Sequence, residues 1–278
     1  MQSNNNNRDD KVIEEFGSEW ILYDYSDFDH EKLFANFMQY FEIFPWDLIS
    51  NNAEGFDMGC GSGRWAQFIA PKVGKLNCIE PSQAIDIARR NLHKFDNINF
   101  FQETTDTCSL KANSQDFGYS LGVLHHIPDT QNALRDCAIL LKSGAPFLLY
   151  LYYNFENKPV WFKLLWKLSN FFRLIISKLP SFLKKLSCNL IAFLVYYPFS
   201  RIALVLEMIG VNVENIPLSD YRHKPFYQCK NDALDRFGTR LEQRFSRNEI
   251  TIMLDNAGFH EIKFSNKTPF WCCIAIKK

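Results

Sequence analysis

The 278-residue sequence predicts a doubly wound α/β fold, with a mostly parallel sheet and a helical lid insertion. Three observations carry that expectation. Apolar runs of strand length alternate with segments of helical period. The first run ends in Asp57-Met-Gly-Cys-Gly-Ser-Gly63, a turn whose glycines free the backbone just where a helix would begin. Between residues 154 and 244 the alternation stops, leaving about ninety residues that a minimal sheet domain does not need.

The elements follow in order. His30 and Glu31 precede Leu33, Phe34, Phe37, Met38 and Phe41, whose spacing is helical, and Pro45 ends that helix, which starts near Asp29. After the glycine turn, residues 64–70 form a helix and residues 75–80 a second strand closed by Glu80. Pro81 opens a helix over 82–95, because proline is tolerated at the first helical position. Residues 98–103 and 116–127 supply a third strand and a fourth with its trailing loop. Asp129 or Thr130 caps the next helix, Gly144 terminates it, and a fifth strand runs to Leu149. Near the end, Ser246-Arg-Asn-Glu249 is a capping-box pattern opening a helix that stops at Gly258, and strands follow at 261–265 and 270–276.

Composition narrows the function classes. Lys plus Arg and Asp plus Glu both number 31, so no global charge points to nucleic acid. The first ten residues are polar and lack the apolar core of an export signal, which predicts a cytoplasmic protein. Eight cysteines occur without a C-x-x-C pair or metal-ligand spacing, and they read as reduced, mostly buried thiols with no metal site.

The turn and the next acid belong together. Glu80, at the carboxyl end of the second strand, can accept hydrogen bonds from both hydroxyls of a ribose, as such acids do in nucleotide-binding α/β units. The spacing G-x-G-x-G differs from the dinucleotide fingerprint. An acid, a hydrophobic residue and then Gly59-Cys60-Gly61-Ser62-Gly63 resembles the first motif of class I S-adenosylmethionine-dependent methyltransferases, and the later segments match that family in order over residues 50–154. The resemblance implies a seven-stranded sheet whose last strand is antiparallel. It implies contacts to S-adenosylmethionine from Asp57, the 59–63 turn, Glu80, Pro81, Ser82, Asp106, Thr107 and Leu121, with Asp57 meeting the methionine ammonium. His125, the first histidine of Leu-His-His-Ile, would face the methyl acceptor, and His126 would pack inward. Residues 1–50 would lie over the cofactor cleft, 51–154 would form the cofactor-binding core, 155–245 the lid insertion and 246–278 the return to the sheet.

The insertion has its own character. Lys163, Lys167, Asn170, Arg173 and Ser177 recur at helical spacing among Trp, Phe, Leu and Ile, which makes an amphipathic helix over about 158–179 with a narrow cationic stripe. From 157 to 206 there are eight basic residues and no acid. A lid packed by its apolar faces and peripheral contact with an anionic membrane both fit. The longest uncharged run, 186–200, is shorter than the roughly 20 residues of a bilayer span. Downstream, Tyr221, Arg222, His223, Arg236 and Arg240 are candidates to bind an anionic acceptor, Arg236 and Arg240 sharing one helix face. The expected activity is methyl transfer to oxygen or nitrogen of a small-molecule or lipid-like acceptor. A cyclopropane-synthase-like lipid modification and a non-catalytic docking role are the alternatives. The glutamate common in the former at the position of His125 is absent here, and the intact Asp57, glycine turn and Glu80 oppose the latter.

Overall fold

The computed structural model describes residues 7–22, 30–213 and 215–278, which divide into two compact units. The first holds the chain up to Asn154 and from Leu241 onward, and the second runs from Phe155 to Arg240.

The first unit is a seven-stranded sheet in the order β3-β2-β1-β4-β5-β7-β6. Its strands are β1 (Glu54–Met58), β2 (Lys75–Ile79), β3 (Ile98–Phe101), β4 (Phe117–Leu121), β5 (Pro146–Tyr150), β6 (Phe259–Phe264) and β7 (Cys272–Lys277). The first five pair in parallel, and β7 inserts antiparallel between β5 and β6. The order in which the chain adds strands reverses between β1 and β4, and ligands of open α/β sheets bind at that switch point, beyond the strands' carboxyl ends. The strands and their antiparallel finish are those the sequence predicts.

Two cores flank this sheet. One gathers Phe37 and Phe41 of α2 (His30–Phe41), Phe68 of α3 (Ala66–Ile69), Leu76 and Phe117; the other gathers Phe56, Phe147, Leu134 of α5 (Thr130–Leu140) and Leu254 of α10 (Arg247–Asn256). Asp29, expected at the start of α2, lies outside the described residues. The helix after the glycine turn is shorter than predicted, since α3 passes into a 3-10 turn at Ala70 where Pro71 withholds an N–H. Similarly, α4 (Ala84–Asn91) begins later than Pro81 suggests, because Ser82 is drawn back to Glu80. Asp129 caps α5 by accepting from Asn132 N at 2.9 Å. Ser246 and Glu249 close the expected capping box on α10. α1 (Asp10–Leu22) was not expected; Asp9 starts it by accepting from the Lys11 and Val12 amides.

Register between β1 and β4 is set by a reciprocal fit. Gly55 stands beside Phe117 and Phe56 beside Gly118. Each phenylalanine covers the neighbouring glycine, so a methyl group on Gly55 or Gly118 would lie 2.3 or 2.4 Å from that ring. A one-residue slip would set ring against ring and turn every side chain to the other face.

The second unit is helical: α6 (Val160–Ile176), α7 (Ser181–Ile191), α8 (Tyr197–Met208) and α9 (Phe226–Gly238). A π-helical turn at Ala192–Tyr196 joins α7 to α8, giving one unbroken helical run, Ser181–Met208, of 28 residues. The uncharged run in the sequence is therefore a poor measure of this helix. Pro198 does not break it, because it lies in the first turn of α8, directly after a widened turn that accommodates its ring.

Replacing Gly118 by Val is expected to lower stability by about 1–3 kcal/mol through overpacking, with Phe56→Ala in the same background recovering part of the loss. Denaturant midpoints of the single and double variants measure this.

Candidate active site

The sheet unit brings the sequence-predicted cofactor residues together at the ends of β1, β2 and β4. Asp57 is the penultimate residue of β1, and Gly59 leaves the strand at φ +81°. At Gly59 a side chain is excluded twice, by that conformation and by Val123, which a Cβ would approach to 2.4 Å. The amides of Gly59 and Cys60 both donate to the Ile79 carbonyl at 2.8 and 3.1 Å, which folds the turn back over β2. Glu80 completes the clamp. One of its carboxylate oxygens accepts from Gly61 N at 3.1 Å, and the other from Ser82 N at 3.0 Å and Ser82 Oγ at 2.6 Å. Burial pushes the Glu80 carboxyl up, while its bonds from Ser82 and Gly61 pull the other way. The first of these oxygens, with a single donor, keeps acceptor capacity for a further one.

Asp57 is buried more awkwardly. Its Oδ2 has no hydrogen-bond partner in the protein, and burial raises the carboxyl to about 8, with the Glu80 charge pushing in the same direction and the Tyr119 hydroxyl against it. The Ser62 hydroxyl, in the same turn, is also buried without a partner. Buried polar atoms left open in this way call for a polar ligand. A cationic ammonium beside Asp57 would meet that need, so these residues fit the cofactor that the motif implies. Asp106 and Thr107 occupy a 3-10 turn after β3, capped by Thr104, and Leu121 ends β4.

The N-terminal helix completes this side. The Trp20 ring lies where a methyl group on Gly61 would come within 2.8 Å, Gly17 packs on Ser82, and the Arg64 guanidinium sits over both Trp20 and Trp65. Asn7 donates to Asp106 through its amide and to the Asp129 carbonyl through its side chain. Thus α1 covers the glycine turn, whereas α2 packs into the sheet core.

His125 and His126 lie in a 3-10 turn after β4. His125 is fully buried, its ring 3.8 Å from that of Tyr152, and neither ring nitrogen has a hydrogen-bond partner. Burial depresses its pKa well below the ordinary histidine range, and the charges of His126 and Arg244 act in the same direction, so the imidazole is neutral. His126 Nδ1 lies 2.7 Å from the Leu241 carbonyl. The segment just after the insertion holds this turn: Gln243 N donates to the His125 carbonyl, and the Gln243 side chain donates to Ile127 O and Thr130 Oγ1. Next to it, Arg244 pairs with the buried Glu242 at 2.7 Å and lies over Tyr152. Sequence reasoning missed Tyr152, Gln243 and the Glu242–Arg244 pair. Only the clustering of basic residues before the last helix hinted at them, and the return to the sheet comes at Leu241 instead of 246.

The five acceptor candidates belong to the helical unit. Arg222 and His223 both contact Glu207, at 2.8 and 2.9 Å. Tyr221 packs on Tyr196 and lies under the Lys224 ammonium. Arg236 is buried over Trp166 and within 3.4 Å of Ser169 Oγ, and the Arg240 carbonyl accepts from Arg173.

Comparison with known proteins agrees with this geometry. A methyltransferase-domain family matches residues 56–149. A ubiquinone biosynthesis O-methyltransferase from Coxiella burnetii is 28% identical over 90 residues, which cover 32% of this chain and 38% of that protein. Its namesake from Stutzerimonas stutzeri is 31% identical over 93 residues, covering 32% and 39%. The match spans less than two-fifths of the length of these relatives. Among solved structures, a chain of the complex between the Haloferax volcanii Trm112 methyltransferase activator and its methyltransferase superposes with a TM-score of 0.51 at 13% identity, over 95% of this chain and 97% of that one, a likeness of fold. With the strand order, the glycine turn and the paired acids on the same residues, the sheet unit is a class I S-adenosylmethionine-dependent methyltransferase domain.

Proposed function

We propose that the protein transfers a methyl group from S-adenosylmethionine to an oxygen or nitrogen of a small-molecule or lipid-like acceptor. The observation that carries this is the buried Asp57 carboxylate, open on one oxygen, at the head of a glycine turn clamped by Glu80. The O-methyltransferase name of the relatives favours oxygen. The bound cofactor supplies a methyl group already activated on sulfur, so the protein's part is to align, desolvate and manage one proton.

In this reading Asp57 holds the methionine ammonium and Glu80 accepts from the ribose hydroxyls. Pro81, Ser82 and Leu121 wall the adenosyl group, and Asp106 and Thr107 meet its base. His125 hydrogen-bonds the acceptor and can take its proton, a role supported by its neutrality and its two open ring nitrogens. Arg236 and Arg240, with Tyr221, Arg222 and His223, are proposed to receive an anionic part of the acceptor. Incubation with methyl-labelled cofactor and a fractionated lipid extract tests the proposal: label should enter an organic-soluble product, and its absence from every fraction defeats the reading.

Four outcomes are expected of the site. Asp57, with its pKa near 8, is mostly protonated at neutral pH, and an ammonium beside it favours the ionised form. Cofactor binding should therefore release up to about one proton near neutrality, gain affinity as pH rises towards 8, and release none well above it. Calorimetry in buffers of different ionisation enthalpy measures the release, which Asp57→Asn should abolish. Glu80→Ala should weaken cofactor binding by roughly 1.5–3 kcal/mol, because it removes a charged acceptor and also frees the Gly61 amide. His125→Ala should leave cofactor affinity nearly unchanged and cut kcat about 100-fold or more if the imidazole takes the proton, and less if it only orients the acceptor. Arg236→Ala should instead raise the acceptor's KM.

A further inference from the structure

We propose that residues 160–211 are a monotopic membrane-embedding module whose outer apolar faces sit in the hydrocarbon of a lipid bilayer. The helical unit is inverted relative to a water-soluble bundle. Among the described residues, 23 of the 29 exposed large apolar side chains fall between 160 and 211. Leu168, Phe182, Phe193, Leu194, Val205 and Met208 are each more than half exposed. Arg173 and Ser177 of the α6 stripe turn inward instead. Arg173 is only 5% exposed and donates to Asn170 Oδ1 and to the carbonyls of Thr239 and Arg240 at the end of α9. Arg201, half-buried, donates to the carbonyls of Tyr221 and Lys224, and Lys184 and Arg236 are buried. In water this arrangement exposes apolar surface and buries charge, both at a cost. In hydrocarbon it is the favoured one, with polar groups satisfied inside and apolar groups outside.

Length and charge agree with that occupant. The helical run Ser181–Met208 is about 42 Å long at 1.5 Å per residue, longer than the roughly 30 Å of a bilayer's hydrocarbon. Only 22% of its most apolar window is buried, so it is not the core helix of a soluble domain, and its place in mid-chain is not that of a signal sequence. Lys167 and Lys178 are exposed, and with no acid between 157 and 206 they can reach anionic headgroups. The chain leaves the sheet unit after Asn154 and rejoins it at Leu241, so it enters and leaves the bilayer on one face. That excludes a single crossing, and since the described residues hold one helix long and apolar enough to cross, no second span is available to return the chain and the module is monotopic. Apolar exposure over a broad arc of each helix, without one seam, favours lipid over a second copy of the chain or a protein partner.

The test uses the full chain and flotation with vesicles of neutral phosphatidylcholine, with and without an anionic lipid. The expected result is flotation with both, retained after molar salt and alkaline carbonate washes and reversed only by detergent. A Leu168→Glu, Phe193→Glu, Val205→Glu variant should lose vesicle partitioning by about a hundredfold or more. Ile139→Glu, an exposed apolar position on α5 of the sheet unit, should change nothing. Cofactor binding, read separately, shows that the sheet unit of each variant is folded, so failure here is distinguishable from failure of the methyl-transfer reading. Flotation only with anionic vesicles and lost in salt would overturn embedding in favour of peripheral attachment. A chain stable in detergent-free buffer that never floats, as a monomer or a self-associated species, would overturn it in favour of a protein-covered surface.

Discussion

The site depends on a single buried carboxylate. Glu80 stands at the end of β2 and accepts from the amide of Gly61 on one side and from Ser82 on the other, so the loops after β1 and β2 are tied to each other before any ligand arrives. The cost of burying that charge is offset by three donors, and its remaining acceptor capacity points to where a ribose would lie. Asp57 is the complement: equally buried but open on one oxygen, it carries an unmet electrostatic demand. One acid organises the turn and the other waits for a cation.

Everything around this pair serves to hold it still. The Phe–Gly exchange between β1 and β4 locks the two strands whose carboxyl ends carry Asp57 and the His125 turn. α1 covers the glycine turn through Trp20, where the methyl group that Gly61 lacks would collide. A site assembled from the ends of neighbouring parallel strands needs that register to be right at every rung, which explains why so much of the core's aromatic volume is spent beside β1 and β4.

How much of this could be read in the sequence follows the range of the interactions. The strands, the glycine turn, Glu80 and the capping box at Ser246 are local patterns, each written within a few residues, and their positions held to within two or three residues. α1 escaped notice because acids and Gly17 interrupt its apolar residues and its role depends on distant Ser82 and Gly61. The partners of His125 were hidden for the same reason: Tyr152 and Gln243 reach it only once β5 and the returning segment are in place. The polar stripe of α6 was legible, but not its direction. Periodicity says that two faces differ, and only packing says which one is inside. Likewise, counting uncharged residues gave a short segment where the backbone makes one long helix, because the helix runs on through Arg201, whose guanidinium donates to the carbonyls of Tyr221 and Lys224.

The return at Leu241 has a mechanical consequence. Arg240 is the last residue of the helical unit, and its carbonyl is held by the buried Arg173. Leu241 then offers its carbonyl to His126, and Gln243 bonds the His125 carbonyl. Along the chain, the residue whose carbonyl Arg173 holds is thus followed at once by the residues that hold the histidine turn. Changing the length of the chain between Leu241 and Ser246 would therefore shift the histidine turn itself, since the bonds to His126 and to the His125 carbonyl both come from that segment.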